Sequence, residues 1–204
     1  MGQFEAITAE PISREALDRI FLEARTHNRW LDRPVDEAQL RRLVEIMLMG
    51  PTTANSLPAR ILFVQSEAAK RRLEPLLDEG NRAKTMQAPV CAIIGYDLRF
   101  YERLPQTFPH NQAARSWFEG KPAKILDAAF RNSSLQGAYL IIAARALGLD
   151  TGPMSGFDNA GVDREFFPDG QVKSNFLCAI GYGDKSVLMP RLPRLSFDEI
   201  AKII

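Results

Sequence analysis

Three short polar clusters hold side chains that could grip an anion or line a polar ligand. The first is Arg25-Thr26-His27-Asn28. The second runs from Pro51 to Arg60 (PTTANSLPAR) and leads into an apolar, β-prone run. The third, Gly152 to Asp158 (GPMSGFD), lies between a long apolar segment and another β-prone run. An arginine fork such as Arg25 binds phosphate or carboxylate oxygens in pairs. Hydroxyl and amide groups at Thr26, Thr52, Thr53 and Asn55 suit a polyhydroxyl chain. Gly152 and Gly156 would let backbone approach a ligand closely. Each cluster also has an ordinary reading: Arg25 as a helix-end cation, Asn55 as a turn residue, the glycines as loop relief.

Several common chemistries find no motif. There is no GxGxxG, no P-loop, no HExxH and no GxSxG, so dinucleotide, nucleotide, zinc and nucleophile-elbow signatures are absent. Ser155 has no assignable His and acid. His27 and His110 lack partners at ligand spacing, and no metal site is expected. Cys91 and Cys178 sit in apolar runs and read as buried structural thiols.

The spacing of apolar residues gives the elements around the clusters. Helices are expected over Ile12–Asn28, Asp36–Met49, Glu67–Leu77, Asp127–Leu147 and Ser196–Ile203. Asp36 with Gln39, and Ser196 with Glu199, suit capping boxes. The middle of Asp127–Leu147 is apolar nearly all round, which predicts a helix running through the core. Buried strands are expected at Ile61–Val64, Val90–Tyr96 and Phe176–Tyr182. Asp97–Lys121 reads as an irregular excursion or lid.

The chain has 204 residues, 46% hydrophobic and 25% charged, with net charge +1. These values fit one domain, residues 1–204, with helices around a small sheet. They give no reason to expect nucleic acid as a partner. Met1–Ala9 lacks an apolar leader core, and the most apolar stretch is too short to span a membrane. A cytoplasmic location is the expectation.

The order and spacing of RTHN, PTTANSLP, GPMSGFD, GYGD and PRLPR resemble the nitroreductase-like flavoprotein family, from about Ile12 to the C-terminus. The strings FYERLP, ARSWF, AFRNSS and LGLDTGPMSGFD narrow the likeness to its malonic semialdehyde reductase branch, associated with uracil degradation. The resemblance implies an α+β, three-layer fold, a small mixed or antiparallel sheet wrapped by helices, in an intertwined homodimer. It implies bound FMN, with NADH or NADPH as hydride donor, and ping-pong reduction of a small molecule.

By the same resemblance, Arg25, Thr26 and the tail residues Arg191 and Arg194 would meet the FMN phosphate. Asn28 stands where the family often has a base. Pro51, Thr52, Thr53 and Asn55 would come from the partner subunit and pack on the flavin. Asn81 and Lys84 would lie near the ring and ribityl chain. Pro153, Met154, Ser155 and Gly156 would border the ring, with the Ser155 and Gly156 backbone near N5. Arg115, Phe108, Trp117 and Arg131 are candidates for the substrate wall. A broad NAD(P)H nitroreductase or quinone reductase, and a non-catalytic flavin-binding dimer, are the competing readings.

Overall fold

The structure is a computed structural model that describes residues 10–204; the leader reading of Met1–Ala9 lies outside them. In chain order the helices are α1 (Arg14–Leu17), α2 (Glu37–Met47), α3 (Glu67–Leu73), α4 (Glu79–Gln87), α5 (Leu104–Thr107), α6 (Pro122–Ala146), α7 (Asn159–Phe166) and α8 (Phe197–Ile200). The strands are β1 (Ala59–Val64), β2 (Val90–Asp97), β3 (Asp150–Met154) and β4 (Val172–Gly181). They form one antiparallel sheet in the order β1-β2-β4-β3.

Period-two geometry divides β2 between two cores. Val90, Ala92 and Ile94 pack with Leu40, Leu43, Leu140 and Ala144 of α2 and α6. Cys91 and Ile93 face the other way, among Leu73, Leu77, Val162 and Phe157. Burial on both faces explains why β2 is an unbroken apolar run. Each fully buried branched side chain there stabilises the fold by roughly 1.5–3 kcal/mol. The expected α+β sandwich is present, and all of its strand pairs are antiparallel.

α2 starts where its capping box places it: Asp36 accepts from the Gln39 N–H at 2.7 Å, and Gln39 returns a bond to the Asp36 N–H at 3.2 Å. Four expectations need correction. The first helix does not reach Asn28; α1 passes into a π-turn at Asp18–Leu22, and Thr26 then pairs in parallel with Thr151 of β3. α6 begins five residues earlier than expected, and it is not core all round. Leu126, Phe130, Leu135 and Tyr139 are exposed, whereas Gln136, Gly137, Leu140 and Ala144 are buried. Asp97–Lys121 is ordered, as 3-10 turns at Phe100–Arg103 and Gln112–Trp117 around α5. Phe100, Leu104, Ala114 and Phe118 give it a core of its own. Finally, the last helix ends at Ile200, although Glu199 does accept from both N and Oγ of Ser196, each at 2.8 Å.

Candidate functional site

β3 links the first and third clusters. Thr26 pairs with Thr151, and the His27 N–H donates to the Thr151 carbonyl at 3.0 Å. This leaves no room for a side chain at Gly152, where a Cβ would stand 2.5 Å from the His27 carbonyl oxygen. At the far end of β3, Asn81 donates to the Gly156 carbonyl at 2.7 Å. A Cβ at Gly156 would fall 2.6 Å from Asn81 Nδ2. Thr85, one turn after Asn81, reaches Met154 Sδ at 3.3 Å. The Lys84 carbonyl accepts from Trp30 Nε1 at 3.0 Å. Buried Lys70 anchors the end of α4 by donating to the Met86 and Ala88 carbonyls. Arg25–Asn28, β3 and α4 are thus one continuous frame. Partial burial lowers the pKa of Lys84.

A cavity of about 430 Å3 opens beside this frame. Arg25, Thr26, Arg191 and Arg194 all line it, as does Arg145 from the last turn of α6. Among the described residues that line it there is no carboxylate. Guanidinium groups gathered around one space repel one another, so an anion that enters relieves that repulsion. Arg25 donates to the Met189 carbonyl. Arg191 donates to the Leu22 carbonyl at 2.5 Å and the Ala24 carbonyl at 3.2 Å. These reciprocal bonds fasten the tail to the end of the first helix. Arg194 donates to the carbonyls of its neighbours Leu192 and Pro193. Asn28 is exposed and does not line the cavity.

A second cavity, about 390 Å3, shares Arg25 and has mixed charge, with Asp18, Glu23 and Asp150 against Arg19 and Lys185. His27 lines it too. Its ring is buried, with Nε2 3.8 Å from Asp150 Oδ1. Burial lowers the pKa of His27, and Asp150 opposes that only in part. Both cysteines are buried; burial pushes the Cys91 thiol up to about 12 and the Cys178 thiol up as well, so neither is a ready nucleophile.

The second cluster lies elsewhere. Thr53 N–H donates to Asn132 Oδ1 at 2.8 Å, Ala59 N–H to Gln136 Oε1 at 2.8 Å, and Asn55 Nδ2 to the Thr107 carbonyl at 2.8 Å. Arg60 donates to the Leu57 carbonyl and pairs with buried Asp97. Ala54, Asn55 and Leu57 all have positive φ, at 50°, 48° and 43°. Such backbone costs about 1 kcal/mol or more per residue and gathers at functional sites. The aromatic excursion adjoins this loop: Phe108 meets Trp117 edge to face, their ring centroids 6.2 Å apart. Arg115 pairs with Glu119 at 2.5 Å and Arg131 with Asp127 at 2.8 Å, all four exposed.

Among the described residues no group of three or more His, Cys, Asp or Glu side chains could hold a metal ion. No described helix is long and apolar enough to cross a membrane.

The nitroreductase family model matches residues 21–183. The chain belongs to the nitroreductase family. A Burkholderia lata protein is 60% identical over 192 residues, covering 94% of this chain and 98% of that protein; its provisional name is NADH dehydrogenase/NAD(P)H nitroreductase. A Ralstonia nicotianae relative with the same kind of name is 56% identical over 97% of this chain and 99% of its own. Among solved structures, a Bacillus subtilis nitroreductase-type protein has a TM-score of 0.85 at 22% identity, covering 93% of this chain and 99% of that one. An Exiguobacterium sibiricum protein solved in complex with FMN has a TM-score of 0.84 at 19% identity, covering 96% of this chain and 100% of that one. These structural likenesses establish the nitroreductase-like fold.

Two parts of the site were not found by sequence reading. β3 carries Gly152 and Pro153, residues that give no strand signal. Arg145 was passed over because it sits inside an apolar helix; the available signal was a cation in the last turn of a helix whose inner face is apolar.

Proposed function

We propose that this nitroreductase-family enzyme is an FMN-dependent NAD(P)H oxidoreductase that works as a cytoplasmic homodimer and reduces malonic semialdehyde to 3-hydroxypropionate. The observation that carries the flavin part is the arginine-lined cavity beside Thr26 and β3. The residues fit the cofactor: a dianionic phosphate needs cations and hydroxyl donors, and Arg25, Thr26, Arg191 and Arg194 converge on one space with no carboxylate among its described lining. Asn81, Lys84 and the backbone at Ser155 and Gly156 would meet the ring and ribityl chain. FMN there would accept two electrons and a proton from NAD(P)H and deliver them to the second substrate. The net reaction joins aldehyde, NAD(P)H and one proton to give alcohol and NAD(P)+.

A second copy would complete the site. The Pro51–Asn55 loop carries two threonine hydroxyls and backbone strain, yet its bonds run to α6, to Thr107 and, from the Leu57 N–H to Thr52 Oγ1, within the loop, rather than to the cavity. The exposed side chains of Leu126, Phe130 and Tyr139 on α6 and of Leu48 and Met49 after α2 offer an apolar surface for such a partner. Phe108 and Trp117 would wall the acceptor space. Arg115 or Arg131 would take the substrate carboxylate by exchanging its exposed carboxylate partner, a low-cost exchange for a surface pair.

The decisive experiment is anaerobic reduction of purified, flavin-loaded protein by NADH and NADPH, followed by kcat/KM for malonic semialdehyde and for a nitroaromatic. Preference for the semialdehyde supports the proposal. The names of the relatives favour a second reading, a broad NAD(P)H nitroreductase, and a strong preference for the nitroaromatic would establish that instead. Flavin that neither nicotinamide reduces would indicate a binding protein.

A further inference from the structure

We infer that Arg145 is the residue through which the cavity reads the charge of a phosphoryl group, and that it does so independently of the arginines that fasten the tail. The inference rests on the flavin reading above. It concerns a residue that no motif singles out.

The arginines divide by how their donors are used. Arg25 and Arg191 are engaged in crossing bonds: Arg25 donates to the Met189 carbonyl of the tail, and Arg191 of the tail donates to the Leu22 and Ala24 carbonyls. Arg194 bonds its own neighbours in the tail. Arg145 differs in its support and in its unused capacity. It stands on α6, the longest helix among the described residues, and its own carbonyl accepts from Arg19 Nε at 3.0 Å. One nitrogen, Nη1, donates to the Ile20 carbonyl at 3.0 Å. Nε is buried with no partner, which is costly for a charged donor unless a ligand or water meets it. The side chain still lines the cavity. Burial lowers the pKa of Arg145; Asp150 opposes this in part and Arg191 adds to it, so a dianion in the cavity would favour the charged guanidinium. A guanidinium fixed at one edge on a rigid helix presents its remaining donors with little loss of freedom.

The bland alternative is that Arg145 only pins α6 to the π-turn through Ile20. The two roles separate by ligand. Flavin-free protein and the variants Arg145→Gln and Arg145→Lys are titrated with FMN and with riboflavin, read by quenching of flavin fluorescence. The same proteins are melted with and without inorganic phosphate. The inference predicts that Arg145→Gln weakens FMN about tenfold or more, the scale of one lost charge-assisted contact, and leaves riboflavin within about twofold. Arg145→Lys falls between, because it keeps the charge and loses the fork. Phosphate raises the Tm of wild type and less that of Arg145→Gln. Equal weakening of FMN and riboflavin overturns the inference in favour of the pinning role, and so does unchanged FMN affinity. Should Arg145→Gln fail to fold, Arg145→Lys carries the same comparison. If wild type binds neither flavin, the flavin reading fails, and the phosphate melts alone then decide whether Arg145 reads an anion.

Discussion

The arginine cavity is assembled from distant stretches of one chain, whereas the Pro51–Leu57 loop is one continuous stretch shaped by its surroundings. The cavity rests on backbone pairing: Thr26 with Thr151, and β3 with β4. Its side chains carry surplus charge and little strain. The loop has the reverse character. It holds three non-glycine residues at positive φ, and buried amides from α6 keep it there. A phosphate needs charge converging from several directions, which one chain can supply. A flat ring needs a rigid edge brought to it, and a strained loop held by Asn132 and Gln136 provides one. In the proposed enzyme the two would have separate tasks: the cavity would hold the cofactor's phosphate, and the loop would shape the space above the ring in the other copy.

Mutations can break that division. The largest effect is expected for Arg25→Ala, which removes a cavity cation and frees the Met189 carbonyl. FMN affinity measured by titration should fall about a hundredfold, on the scale of charge-assisted contacts to a dianion. Asn132→Ala should act on the loop alone. Losing the acceptor for the Thr53 N–H should cost about 1–3 kcal/mol in denaturant unfolding, while the response of Tm to inorganic phosphate stays as in wild type. Gly152→Ala tests the frame of the cavity. Its Cβ would press on the His27 carbonyl, and a cost of about 1–3 kcal/mol together with weaker FMN binding is expected; an unchanged FMN affinity would detach β3 from the site. Ala54→Gly should shift stability by only about 1 kcal/mol or less, because relief at positive φ is offset by a looser unfolded chain.

The smallest effect is a pH dependence. Burial depresses the pKa of His27 from 6.5, so the folded state binds fewer protons there than the unfolded state. Stability from this group is full above about 6.5 and declines as pH falls through that value toward the depressed folded pKa. Melts from pH 7.5 to 5 should show a fall in Tm that His27→Gln makes shallower.

Local signals in the sequence were dependable. The Asp36–Gln39 box placed the start of α2, and continuous apolar runs gave β2 and the inner part of β4. Tertiary pairing hid the rest. The apolar spacing of Ile12–Asn28 suits a helix, yet the helical stretch stops at Leu22 and Thr26 bridges to Thr151 of β3. β3 itself was missed because Gly152 and Pro153 look like a loop; an edge strand tolerates a proline, whose missing N–H has no ladder to break on the open side. The excursion at 97–121 shows no helical period because its helices are only four to six residues long, although Phe100, Leu104 and Phe118 mark a small core. Arg25, Thr26, Arg191 and Arg194, expected from the resemblance, line one cavity. Arg115 and Arg131 are candidates as cations for a substrate carboxylate, Arg115 also for its place in the aromatic excursion, and both sit in exposed ion pairs.

The most direct measurement is a crystal structure of the FMN-loaded protein. The account predicts the phosphate in the cavity between Arg25, Thr26 and Arg191, with Arg145 Nε or Nη2 turned to it, and a partner's 51–55 loop against the ring. A phosphate bound away from these arginines, with the cavity filled only by the tail, would contradict it.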